Sequence, residues 1–124
     1  VMHLTNDEGV NVAYDSVGND TMARTITSTK RRGTIIAFGQ SSGPYTDFKI
    51  TDLSKGSYYL SRPTLFHFVG DRSWLDTASA KLFKAVTDGT INVSINQRFA
   101  LEDVAKAHEA LTGRATTGCT ILTV

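Results

Sequence analysis

The chain has 124 residues, 40% of them apolar and 20% charged, enough for one globular core and unlike a disordered tail, a collagen-like repeat or a disulfide scaffold. Thirteen basic against twelve acidic residues leave a formal charge of +1, too balanced for a dedicated nucleic-acid binder. A single cysteine, no apolar run approaching a membrane span and no basic-then-apolar leader point to a cytoplasmic protein with no membrane association.

Val1–Thr5 reads as a last helical turn, broken by Asn6-Asp7-Glu8-Gly9. Val10–Asp15 is rich in β-formers and reads as a short strand, with Ser16–Asp20 a loop. Asp20 or Thr21 caps a helix to about Ser28 that turns Met22 and Ile26 to one side. Lys30, Arg31 and Arg32 suit that helix's last turn, where cations meet the negative end of its dipole, and Gly33 ends it. Thr34–Gly39 is the clearest strand, with four successive apolar residues, as in a parallel sheet covered on both faces. Strand, helix and strand in this order form a βαβ unit.

Gln40–Pro44 is a loop, a short helix surrounds Ile50–Leu53, and Ser57–Ser61 is a third strand stopped by Arg62-Pro63. Thr64–Gly70 is a loop or a short turn of helix. From about Ser73 to Asp88 a long amphipathic helix places Leu75, Ala78, Leu82 and Val86 on one side. Val93–Phe99 alternates as a strand, Leu101-Glu102-Asp103 opens another helix, and Cys119–Val124 is a last strand. The shift in pattern after residue 88 suggests that two structural regions meet there.

His3, His67 and His108 lack a second ligand at metal-binding spacing, and Cys119 has no cysteine partner, so a metal site is not expected. Asp15 ends a strand, where a carboxylate either bonds a ribose or caps a helix. Ser41-Ser42 forms no nucleophile elbow. The loops are more informative, because open α/β sheets bind ligands beyond the carboxyl ends of their strands. Ser16-Val17-Gly18, the run Phe38–Gly43 and Arg62-Pro63-Thr64-Leu65 all leave at that edge, as a cofactor cradle or as plain turns. No G-x-G-x-x-G phosphate turn is present, so a dinucleotide fold here would be its second half.

Tyr14-Asp15-Ser16-Val17-Gly18, Arg31-Arg32-Gly33 and Phe38-Gly39-Gln40-Ser41-Ser42-Gly43 resemble segments of the zinc-independent quinone oxidoreductases of the medium-chain dehydrogenase/reductase superfamily. Gly56–Leu65, Phe99–His108 and Arg114–Gly118 continue the likeness in order along the whole chain. Family members are much longer, so the chain is similar to their C-terminal portion. The glycine-rich first βαβ unit would then precede Val1.

This resemblance implies an α/β fold in two parts. Residues 1–88 would be the second half of a Rossmann-type NAD(P)-binding domain. Residues 89–124 would be the strand-helix-strand segment that returns to a GroES-like catalytic domain. It implies NADPH as cofactor, with a quinone or related activated alkene or carbonyl as hydride acceptor. By the same resemblance Val17 lies toward the adenosine or ribose, and Phe38, Gly39, Gln40 and Ser41 beside the nicotinamide and its ribose. Gln40 stands where asparagine is common, which keeps an amide on a longer arm. Pro63, Thr64 and Leu65 match a loop facing the carboxamide, and Arg114 matches a cofactor-contacting arginine, its other reading being an exposed helix-end arginine. No catalytic residue is assigned within these residues. The strand at residues 57–61 resembles a homodimer edge. The isolated chain is expected to be inactive. The competing readings are a non-enzymatic dimerisation or interaction module derived from a degenerate Rossmann half, and a related enoyl or alcohol reductase.

Overall fold

The β-forming runs of the N-terminal half become a three-stranded parallel sheet in the computed structural model, which describes residues 1–124. Its strands are β1 (Val10–Asp15), β2 (Thr29–Ala37) and β3 (Tyr59–Ser61), side by side in that order. Helix α1 (Met22–Thr27) joins β1 to β2, a 3₁₀ turn over Ile50–Lys55 precedes β3, and the short α2 (Phe66–Val69) follows it. A 3₁₀ turn at Met2–Thr5 opens the chain and closes on Asn6 in the left-handed region.

The expected basic helix end is corrected. Helix α1 stops at Thr27, and Lys30, Arg31 and Arg32 lie within β2. The run Thr25-Ile26-Thr27-Ser28-Thr29 explains the early stop, because β-branched side chains lose rotamer freedom in a helix and favour a strand. The Thr29 hydroxyl also donates to the Thr25 carbonyl at 2.7 Å, taking an acceptor from the last turn. Val10 pairs with Thr29 and Val12 with Thr34, so the residues between bulge out of the ladder. Arg32 sits in this bulge at φ 61° and donates its N–H to the Gly56 carbonyl at 2.7 Å.

The core lies on one face of the sheet. Met22 and Ile26 of α1 pack on Ile35 and Ala37 of β2, with Tyr45, Phe48 and Tyr58 closing over them. Ile35 is fully buried. The ladder puts Val12, Thr34 and Tyr59 in one row on the opposite face, and Tyr14, Ile36 and Ser61 in the next. Val12, Tyr14 and Tyr59 are exposed there, so the apolar run of β2 is buried on one side only, not on both as its composition suggested.

A second compact unit comprises Arg72–Val124, the first being Val1–Asp71. It holds α3 (Arg72–Thr87), β4 (Ile95–Ala100), a 3₁₀ turn over Leu101–Asp103, α4 (Val104–Thr112) and β5 (Cys119–Thr123). Strands β4 and β5 pair in parallel with α4 as their crossover, and Ala107 of α4 is buried. Helix α3 forms where its periodicity places it, yet it buries no residue. Trp74, Leu82, Phe83 and Val86 along it are all exposed. The Arg72–Asp76 and Lys84–Asp88 ion pairs, each at i,i+4 spacing, support its exposed face.

Candidate functional site

Because the strands run parallel, Asp15, Ala37 and Ser61 end at one edge of the sheet, and the three loops singled out in the sequence leave from it. The first two are fastened together. Phe38 and Gly39 donate their N–H groups to the Asp15 carbonyl, at 2.9 and 3.3 Å. Ser41 and Ser42 N–H reach the Ser16 and Val17 carbonyls, and Asn19 N–H reaches the Gly43 carbonyl at 3.0 Å. The Ser42 hydroxyl donates to the Val17 carbonyl at 2.7 Å and accepts from Asp20 N–H at 3.0 Å.

Two glycines make this approach possible. A Cβ at Gly39 would overlap the Ser16 carbonyl oxygen and sit 2.8 Å from its Cα. Gly18 has φ +89°, where a side chain is strained, and a Cβ there would lie 2.5 Å from the Gly43 carbonyl oxygen.

Asp15 closes the turn of its own loop and does not cap α1, whose N-cap is Thr21 with no side-chain cap bond. Its carboxylate is buried, and Oδ1 accepts the N–H groups of Val17 and Gly18, both at 2.9 Å. The Thr21 hydroxyl lies about 3 Å from both carboxylate oxygens, and the Thr25 hydroxyl donates to Oδ2 at 2.6 Å. Burial pushes this carboxyl upward, but the bonds from Thr25, Gly18, Val17 and Thr21 together outweigh it and hold the group below the usual aspartate range.

The sign of the linkage follows. A depressed pKa in the folded state contributes stability that is present above the unfolded pKa of about 4 and lost as pH falls through the folded value. Stability is therefore expected to be flat from neutrality to about pH 5 and to fall below pH 4. Glu8 and Asp52 are also lowered, by hydrogen bonds and charge from Lys30 and Lys55, but at exposed positions that salt screens. Urea titrations in high salt should isolate the Asp15 part, and Asp15→Asn should flatten the acid limb. An unchanged acid limb in that variant would contradict this account.

Between the loops lies a cleft of about 210 Å³. Of the residues in the loops singled out in the sequence, Gly18, Gly39, Gln40 and Arg62 line it. Val17, Phe38, Ser41, Pro63, Thr64 and Leu65 lie in the loops at the same strand edge but not in the cleft wall. Phe38 is half exposed and meets Tyr14 edge to face, with ring centroids 6.5 Å apart. Arg114 is exposed just after α4, at φ 55°, in the second compact unit.

The cleft also uses residues that sequence reasoning missed. Tyr45, Phe48 and Leu60 all face it. Tyr45 and Phe48 sit in an irregular loop with no periodicity to mark them. Arg62 reads from sequence both as a strand stopper and as the start of the third loop at the ligand edge. Its Nη1 donates to the Pro63 carbonyl at 3.1 Å, which steers the guanidinium. The arrangement gives an apolar wall, an amide and a cation around a small concave space, a composition that suits a flat ring carrying polar substituents.

Residues 1–122 match the family model described as zinc-binding dehydrogenase. A quinone oxidoreductase of Salmonella typhimurium is 42% identical over 98% of this chain, and the chain spans only 38% of that protein's length. A 2-haloacrylate reductase of Burkholderia sp is 36% identical over 98% of the chain, which spans 37% of it. The crystal structure of Escherichia coli quinone oxidoreductase complexed with NADPH superimposes with a TM-score of 0.88 at 38% identity. It covers 99% of this chain and 39% of that one. The family description names zinc, but nowhere in these residues do three His, Cys, Asp or Glu side chains gather to hold a metal ion, so no chemistry is routed through one here. A parallel Rossmann-like α/β sheet, the ordered motifs along the chain and a family match over nearly all of it lead to one assignment: the chain belongs to the zinc-binding dehydrogenase family of the medium-chain dehydrogenase/reductase superfamily.

Proposed function

We propose that the chain is the C-terminal part of an NADPH-dependent, zinc-independent quinone oxidoreductase. The observation that carries this reading is the paired-loop cleft at the carboxyl edge of the sheet, with Gly39 and Gln40 in its wall. The quinone oxidoreductase relatives and the NADPH complex support it. When bound, NADPH supplies a hydride that, with a proton, reduces a quinone or a related activated alkene or carbonyl. The chain's own residues bind and orient. Gly39 lets main chain approach the nicotinamide end, Gln40 offers its amide to the ribose, and Phe38 packs beside the ring, with Ser41 next to it. Val17 faces the adenosine side, Pro63, Thr64 and Leu65 present main-chain groups to the carboxamide, and Arg114 completes the cofactor contacts.

In the parent, residues 1–88 belong to the cofactor domain and 89–124 to the catalytic domain. Cys119, exposed and without a disulfide partner in the chain, suits a cytoplasmic location.

The test is NADPH binding by fluorescence and NADPH oxidation with a quinone and with a 2-haloacrylate, on the full-length protein. Turnover of the quinone supports the reading, and turnover of the haloacrylate alone moves the substrate to activated alkenes. Absence of NADPH binding in a stable dimer favours the interaction-module reading. The isolated 124 residues should show no turnover. Gln40→Ala should raise KM for NADPH about tenfold with kcat little changed, the loss of one hydrogen bond.

We further propose a homodimer through residues 57–61. Strand β3 is an edge of its sheet, and Tyr59, Leu60 and Ser61 are all exposed, which leaves hydrogen-bonding groups for a second copy. Tyr59→Lys should convert the dimer to monomer in sedimentation velocity, and a dimer that persists there assigns the contact elsewhere.

A further inference from the structure

We propose that Asp15 is a positioning residue: by fastening the first loop to the second it fixes the shape of the cleft without entering it. This rests on the cofactor reading for its binding readout alone. Asp15 acts through both its ends. Its main-chain carbonyl accepts Phe38 and Gly39 N–H, which holds the second loop, while its side-chain Oδ1 accepts Val17 and Gly18 N–H, which shapes the first.

Val17 is thereby held on both sides, its N–H by Asp15 and its carbonyl by the Ser42 main chain and hydroxyl. Gly18 continues the linkage, since its carbonyl accepts Thr21 and Met22 N–H at the start of α1 and its backbone lines the cleft. Asp15 as a whole is 3% exposed and does not line the cleft, so direct contact with a ligand is not its role. The remaining oxygen, Oδ2, is held by Thr25 of α1, and the Thr21 hydroxyl lies against both oxygens. Thr25 reaches Oδ2 alone, so this tie to the helix can be separated from the loop tie by substitution.

Asp15→Ala removes both. Thr25→Val removes the Thr25 tie to the helix and leaves the loop tie, so it controls for plain destabilisation. Asp15→Asn keeps an oxygen for Val17 and Gly18 N–H and serves as the conservative rescue. Ser42→Ala cuts the linkage from the other loop and supplies a second approach should Asp15→Ala not fold.

The experiment is amide hydrogen exchange together with NADPH binding on the full-length protein. In Asp15→Ala and in Ser42→Ala, amides of residues 17–20 and 41–43 should exchange at least about tenfold faster while Ile35 stays protected. NADPH affinity should weaken about tenfold in the same two variants, with Asp15→Asn recovering to within about threefold. Thr25→Val should lower Tm yet leave both readouts unchanged. If Thr25→Val loosens residues 41–43 as much as Asp15→Ala does, Asp15 acts only through its tie to α1 and the proposal is wrong. Protection that survives in both Asp15→Ala and Ser42→Ala overturns it as well. A wild-type protein that binds no NADPH but shows the expected exchange pattern refutes the cofactor reading and leaves the linkage standing.

Discussion

Gly39→Ala should unfasten the candidate site. The added methyl would overlap the Ser16 carbonyl oxygen and press on that residue's Cα and carbonyl carbon, all of them backbone with no rotamer to yield. The loops must part, which gives up the Phe38 and Gly39 bonds to Asp15 and the Ser41 bond to Ser16. At about 1 kcal/mol for each hydrogen bond, the loss is about 3 kcal/mol, and NADPH binding by the full-length protein should weaken by about a hundredfold. Gly70→Ala is the internal control, because Gly70 sits at φ −64° at the end of α2, where alanine is at ease. Its stability should match wild type to within about 1 kcal/mol. Equal behaviour of the two variants in urea titration and in NADPH binding would mean that the contact between the loops is not tight.

Ile35→Ala should be the most damaging truncation of the sheet. Ile35 is the one large side chain fully buried, and it packs under Met22 and Ile26. Removing it leaves a void that few neighbours can fill, and a cost of about 2–5 kcal/mol is expected. That is a large share of a stability that for domains is typically about 5–15 kcal/mol. The adjacent Ile36→Ala tests where the core lies. Ile36 points to the opposite face and is only half-buried, so in this chain its truncation should cost about 1 kcal/mol. In the full-length protein the same change should cost more if further chain covers that face. Comparable costs for Ile35 and Ile36 in the 124 residues would contradict the one-sided core.

The order of elements was legible because hydrophobic periodicity and glycine breaks are local signals. Val10–Asp15, the long helix beginning near Ser73 and the closing strand at Cys119 formed where their patterns place them, while the strand read over Thr34–Gly39 begins at Thr29 and ends at Ala37. Lys30–Arg32 went astray because a basic run after a helix satisfies the dipole rule, whereas the threonines before it favour a strand. Burial was less legible. The apolar stripe of α3 is real as a pattern, but a pattern does not say what covers it, and within this chain it remains exposed.

At the site, Gly39 and Gln40 were accessible from sequence since they follow a strand. The aromatic walls Tyr45 and Phe48 were not, because their place depends on how an irregular loop returns over Ile35. Asp15 reads from its position as a ribose ligand or a helix cap, whereas Val17, Gly18, Thr21 and Thr25 around it make it a buried tie within its loop and to α1.

The two sheets share no strand, so a break between Asp71 and Arg72 would sever no strand-to-strand hydrogen bond. That junction is accordingly the natural ligation point for segmental isotope labelling. Residues 1–71 could be observed by magnetic resonance inside the full-length protein, with the signals of every later residue silent.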